Sequence, residues 1–319
     1  MSRVCGVMLV CLSAGCVQLP HENDQQNTDR PKTLLRWATT DDKDKDNGDD
    51  KNNGKDKNNG KDQDKKNGKD KKNGEGKDNP PEEPQPDEIV TDRPTFTPAS
   101  RTVGLGHVQL ETGYTFSTAR DAGINTYSHS FPEASLRVGI LDWMELRVAQ
   151  NFLSTISPTR TDSGAADMLV GTKLWLTEKD RSLPESSLIV QTTVPSGSEA
   201  FKNRKLLPGL VLVYSWDLIP DLVTLSGSSQ GNAAVDGVQH SYLQLAQSLV
   251  VGYTLTPKLG AFTECYALFP DGAIAGAFPQ YFFDGGFTYK VTGNIQLDLR
   301  AGAGVNQGVL AGAGFSYRY

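Results

Sequence analysis

From His107 to Tyr319 the chain alternates polar and apolar residues with a period of two, in segments of roughly ten. A period of two puts successive side chains on opposite faces of a strand, and no helix accommodates it. From Asn294 to Arg300 the pattern is clearest. Ile295, Leu297 and Leu299 face one way, and Asn294, Gln296, Asp298 and Arg300 the other. The same opposition separates Glu133, Ser135 and Arg137 from Ala134, Leu136 and Val138. It separates Glu145 and Arg147 from Met144, Leu146 and Val148.

Twelve such segments can be placed, at about 107–117, 127–140, 144–153, 165–176, 186–194, 206–216, 222–231, 240–254, 259–268, 279–290, 293–304 and 308–319. Tight turns such as Leu141–Trp143, Leu218–Asp221, Leu255–Lys258 and Val291–Gly293 alternate with looser connections rich in Gly, Ser and Asp. An even strand count with short turns at one end and longer loops at the other is the transmembrane barrel arrangement. The apolar face is padded with Gly, Ala and Thr, whereas a soluble sandwich would turn a bulkier apolar face inward. The expected fold is therefore all-β: a closed antiparallel transmembrane β-barrel of about twelve strands, preceded by a disordered N-terminal linker.

Aromatic placement fits. Trp175, Trp216, Tyr253, Tyr289 and Tyr319 fall near the ends of even strands, and Trp143 sits at a tight turn. Amphipathic rings prefer the headgroup level, so these residues are expected to form an interfacial girdle. Phe315, Tyr317 and the terminal Tyr319 alternate with Ser316 and Arg318. This resembles the C-terminal signal by which barrel-assembly machinery reads its substrates.

The N-terminal quarter cannot form a core. Residues 1–16 read as a secretory signal: Arg3, an apolar run from Val4 to Leu12, then Ser13, Ala14, Gly15 and Cys16. The run is too short to span a bilayer as a helix. The small residues before Cys16 resemble a lipobox, making Cys16 a candidate lipidation site, although ordinary cleavage after Gly15 also fits. Residues 17–88 are expected to be a disordered linker. Repeats such as Lys51–Asp56 and Lys57–Asp62 contain nothing to bury, so ordering them has no compensation. A calcium loop starting at Asp42 would need Gly and Glu where Asn47 and Asn53 stand, so no metal is expected. The folded part then runs over 89–319.

Only Cys265 lies in the folded part, which excludes an internal disulfide framework and a cysteine zinc site. The net charge of -6 gives no reason to expect nucleic acid. His129-Ser130 and His240-Ser241 are neighbours on opposite strand faces, so neither forms a catalytic dyad. No enzyme activity and no cofactor are expected.

If the apolar faces meet lipid, the polar faces line the lumen. The candidate lining and selectivity residues are Glu111, Glu133, Arg137, Glu145, Arg147, Asp167, Lys173, Glu264, Asp284, Asp298 and Arg300. Charges there must be solvated or paired. They could brace and partly plug the barrel, set solute selectivity, or do both. The stretch Thr91–Ser100, with Asp92 and Arg93, could fold into the mouth as a plug or serve as a plain lead-in.

The segment Thr91–Thr97, then Pro132-Glu133 and Glu145–Arg147, then Asp284–Tyr289, Asn294–Asp298 and Gly314–Arg318 resemble in order and spacing the outer-membrane transporter family of the MetA-pathway of phenol degradation. The likeness covers about residues 91–319. It implies an outer-membrane channel for passive uptake of small molecules, with aromatic or apolar compounds as the candidate class. A structural or anchoring barrel without transport is the alternative. The implied partners are outer-membrane lipid, the barrel-assembly machinery and small-molecule solutes, with the linker in the periplasm.

Overall fold

The computed structural model describes residues 88–319, apart from 122–123, 181, 275–277 and 306–307. The export signal with Cys16, and the linker up to residue 87, lie outside the described residues.

The described chain is strand and connection only. Its strands are β1 (Val108–Asp121), β2 (Ile124–Leu141), β3 (Met144–Ile156), β4 (Thr161–Ala165), β5 (Met168–Thr177), β6 (Glu185–Val194), β7 (Leu207–Ile219), β8 (Val223–Val235), β9 (Ser241–Thr254), β10 (Leu259–Asp271), β11 (Gln280–Thr292), β12 (Ile295–Gly304) and β13 (Gly308–Arg318). Consecutive strands pair antiparallel, except β4 with β5, and β1 pairs with β13, with Gln109 opposite Arg318, to close the ring. Both β4 and β5 pair with β3, end to end, so they share one barrel position. The result is a closed barrel of twelve staves, which leaves no sheet edge unpaired in lipid.

The alternation decides which face of each strand is which. On β9, Tyr242, Gln244, Ala246, Ser248 and Val250 are buried inside, while Leu243, Leu245 and Leu249 are exposed outside. Cys265, between Glu264 and Tyr266, is likewise on the outer surface. This is inverted relative to a soluble domain: large apolar side chains cover the outside and polar ones fill the interior.

Two features depart from the sequence expectation. The Gly/Ser/Asp-rich stretches read as loops at 118–126 and 232–239 largely continue as strand. Backbone pairing persists past the apolar belt, where both faces can be polar and the alternation is lost. The expected single strand at 165–176 is split at Ala166-Asp167. Pro132, which cannot donate to a ladder, falls where the β2–β3 register shifts between Ser130 and Glu133.

The strands connect tightly at one end and by longer loops at the other. Trp143, Tyr253, Tyr289 and Tyr319 are exposed toward the short-turn end. Trp175 is different: it shares its face with Lys173, and the Arg101 guanidinium sits 5.5 Å above its ring. It caps the lumen rather than joining a girdle.

Candidate functional site

The segment before β1 does not run past the barrel but enters it. Ile89 N donates to Gly293 O (2.8 Å) in the β11–β12 turn, which puts the incoming limb at the short-turn mouth. The outgoing limb returns to the same mouth, where Val103 N donates to Glu145 Oε2 (2.8 Å). Of the two readings of Thr91–Ser100, the structure shows the re-entrant one.

Arg137 clamps both limbs. Its guanidinium donates to Val90 O (3.1 Å) on the way in and Arg101 O (3.2 Å) on the way out. It also makes a two-point contact with Glu145 (2.9 and 3.0 Å) and a third with Glu111 (2.9 Å). Such planar two-point pairing is what a guanidinium does and an ammonium cannot.

Deeper in, Asp92 is the hub. Its carboxylate faces Lys173 Nζ (3.0 Å), Arg137 Nη1 (3.4 Å) and the Arg147 guanidinium. Burial alone would push its carboxyl pKa up. The surrounding Arg137, Arg147 and Lys173 outweigh that and hold it well below the usual carboxylate range. The backbone N–H groups of Asp92 and Arg93 both donate to Glu111 (3.1 and 3.0 Å).

Arg93 reaches the closing seam. It pairs with Glu133 on β2 (2.6 Å) and Asp298 on β12 (3.4 Å) and donates to Ala313 O on β13 (3.3 Å). Burial opposes its charge, but Asp298 and Glu133 more than restore it, and its pKa lies above the ordinary arginine value. The guanidinium fits because Gly113 and Gly314, cross-strand partners on β1 and β13, have no side chains.

The tip is held at mid-barrel. Phe96 N and Thr97 N donate to Glu264 (2.6 and 2.8 Å), as does the Thr97 hydroxyl (2.6 Å). The Phe96 ring stacks on Tyr266 at 4.4 Å, and Tyr266 stacks on Phe282 at 4.7 Å. Behind the tip, Arg300 donates to Pro94 O (3.1 Å) and Thr115 Oγ1 (2.9 Å).

All eleven candidate lining residues are buried inside the barrel. Nine of them contact the plug directly or hold a residue that does. Asp167 is apart: its carboxylate accepts from Gly197 N and Asn203 N (2.8 Å each) and pins the β6–β7 loop. Asp284 faces Glu264 across the β10–β11 ladder but contacts no donor. Sequence reasoning missed Gln109, Glu185, Ser248 and Gln296, which also hold the plug. Glu185 shares its face with Ser187 and Ile189 and stands one residue before the strand expected at 186–194. His129 lies on the outer face, hydrogen-bonded to Tyr114 (2.8 Å), outside this network.

A family model described as "Putative MetA-pathway of phenol degradation" matches residues 91–319. The chain belongs to this family. The region matched to the phenol-degradation family starts one residue before Asp92, so it takes in all of the plug but its first two residues, as well as every strand. Among solved structures, the COG4313 outer membrane channel from Pseudomonas putida F1 is 14% identical, with a TM-score of 0.54 over 69% of this chain and 98% of that one. The translocator domain of the autotransporter NalP from Neisseria meningitidis is 10% identical, with a TM-score of 0.44 over 68% and 89%. No curated protein matches the chain.

Proposed function

We propose that this member of the phenol-degradation family is an outer-membrane channel for passive uptake of small molecules, narrowed by its own N-terminal segment. The observation that carries this reading is the interior itself. A polar, charge-lined interior inside an apolar-coated closed barrel both holds the plug and admits water and solute, which a packed apolar core would not. With the plug in place the remaining passage is narrow, as a twelve-stranded barrel implies. The lining acids and bases set which solutes pass. The Phe96–Tyr266–Phe282 stack and the Ile189–Val211–Val213 cluster are buried apolar groups inside the barrel, which would meet aromatic or apolar compounds when the plug is displaced.

Orientation follows from the ends. The described chain starts at the short-turn mouth, so the linker lies in the periplasm with the short turns, and the Cys16 lipid, where present, anchors it to the membrane. Phe315, Tyr317 and Tyr319 present an aromatic row on the last strand for the assembly machinery.

Liposome swelling tests the reading. Proteoliposomes should swell in small solutes, with rates that depend on solute polarity and fall steeply with size. Absence of swelling for every solute, with a folded barrel, would leave only the anchoring role.

A further inference from the structure

The charges around the plug pair off, except at its tip. Arg137 serves Glu111 and Glu145; Arg93 serves Glu133 and Asp298; Asp92 takes Arg147 and Lys173; Arg101 takes Glu185 (2.7 Å). Two carboxylates and the Arg300 guanidinium are left over, a net single negative charge, and the two carboxylates are neighbours. Glu264 and Asp284 are direct cross-strand partners on β10 and β11. Both point into the lumen and both are 1% exposed. Glu264 accepts only from neutral donors, the N–H groups of Phe96 and Thr97 and the Thr97 hydroxyl. Among the described residues Asp284 accepts from no N–H or hydroxyl donor, and the group within its reach is the Glu264 carboxyl itself.

Arg300 answers this need only in part, acting on both carboxylates through space without an ion-pair contact. Its Nη1 and Nη2 are committed to Pro94 O and Thr115 Oγ1, and among the described residues it makes no ion pair. Gly302, its β12 partner, lets the two strands approach closely at Asp284: a Cβ there would fall 2.3 Å from the Asp284 Cβ. Two adjacent buried carboxylates without a cationic contact are costly unless something neutralises them.

We propose that the Glu264–Asp284 pair, at the tip of the plug, binds one monovalent inorganic cation, sodium or potassium. Asp284 supplies both oxygens. Glu264, with three of its roughly four lone-pair sites occupied, supplies the remaining one. The ligand set suits a weakly held monovalent ion. Glu264 also carries the Phe96–Thr97 backbone, so the cation sets the charge against which the plug tip is held.

Thermal unfolding of the full chain in neutral detergent tests this at constant ionic strength, with sodium, potassium or N-methylglucamine chloride. The site predicts a midpoint about 2–4 °C higher in a small cation than in N-methylglucamine. Asp284→Asn should erase the difference. Equal midpoints in all three salts would overturn the proposal and assign the neutralising charge to a proton. A difference that survives Asp284→Asn would overturn it too, by placing the ion elsewhere. If the variant does not fold, the wild-type comparison still decides against the site when the midpoints coincide. Neither reading depends on solute transport.

Discussion

The Arg93 side chain occupies the space that a side chain on Gly314 would fill: a Cβ there would come 2.3 Å from Arg93 Nε. One residue of the plug and one of the last strand are thus fitted to each other across the seam that closes the barrel. Gly314→Val should drive the guanidinium off the wall and break its contacts with Asp298 and Ala313. The expected outcome is a larger single-channel conductance with the barrel still folded, checked by planar-bilayer recording beside heat-shifted gel mobility.

Asp92→Asn removes the common partner of Arg147, Lys173 and Arg137. Taking one member from a buried ion cluster leaves the others uncompensated, at a cost on the order of 3–5 kcal/mol. Because Asp92 belongs to the plug, the loss should appear as release of that segment. Protease cleavage within 89–103 should accelerate in Asp92→Asn while the strands stay protected.

Acid should act in the same direction. The Asp92 carboxyl is depressed in the folded protein. Its contribution is therefore complete above the unfolded value of ~3.9 and is lost as pH falls below that, toward the folded pKa. Plug release should thus begin only below about pH 4. Conductance against pH should be flat above this range and rise below it, and Asp92→Asn should flatten the profile.

Much of this was legible in the sequence, and the limits were physical. A barrel strand shows lipid one face and the lumen the other, so alternation sorted Glu111, Arg137, Glu145, Lys173 and Glu264 to the interior without any structure. Aromatic residues escaped the rule. Trp175 and Tyr266 carry the same chemistry inside the barrel as Trp143 and Tyr289 carry outside, and ring type alone does not say which. The plug was visible only as a choice, because Thr91–Ser100 has no period. Its direction depends on carboxylates such as Glu111 and Glu264 that are distant in sequence. The seam glycines Gly113 and Gly314 carry no signal of their own in the sequence, and only Arg93 lying across them gives them a role.

The outer surface makes its own prediction. Leu249 is exposed on β9, and its neighbour Ser248 faces the lumen. Leu249→Arg puts a charge toward the hydrocarbon and should cost about 2–4 kcal/mol of folding free energy in bilayers if it lies near the midplane. Leu249→Ala should cost much less. Urea titration in phospholipid vesicles compares them.

The central claim is that solute moves through this barrel around a plug formed by residues 89–103. Single-channel recording of the full chain and of Arg93→Ala tests it most directly. The account predicts small discrete current steps for the wild type and larger steps for Arg93→Ala. A folded, inserted barrel that gives no steps in either form, at any voltage, would contradict it.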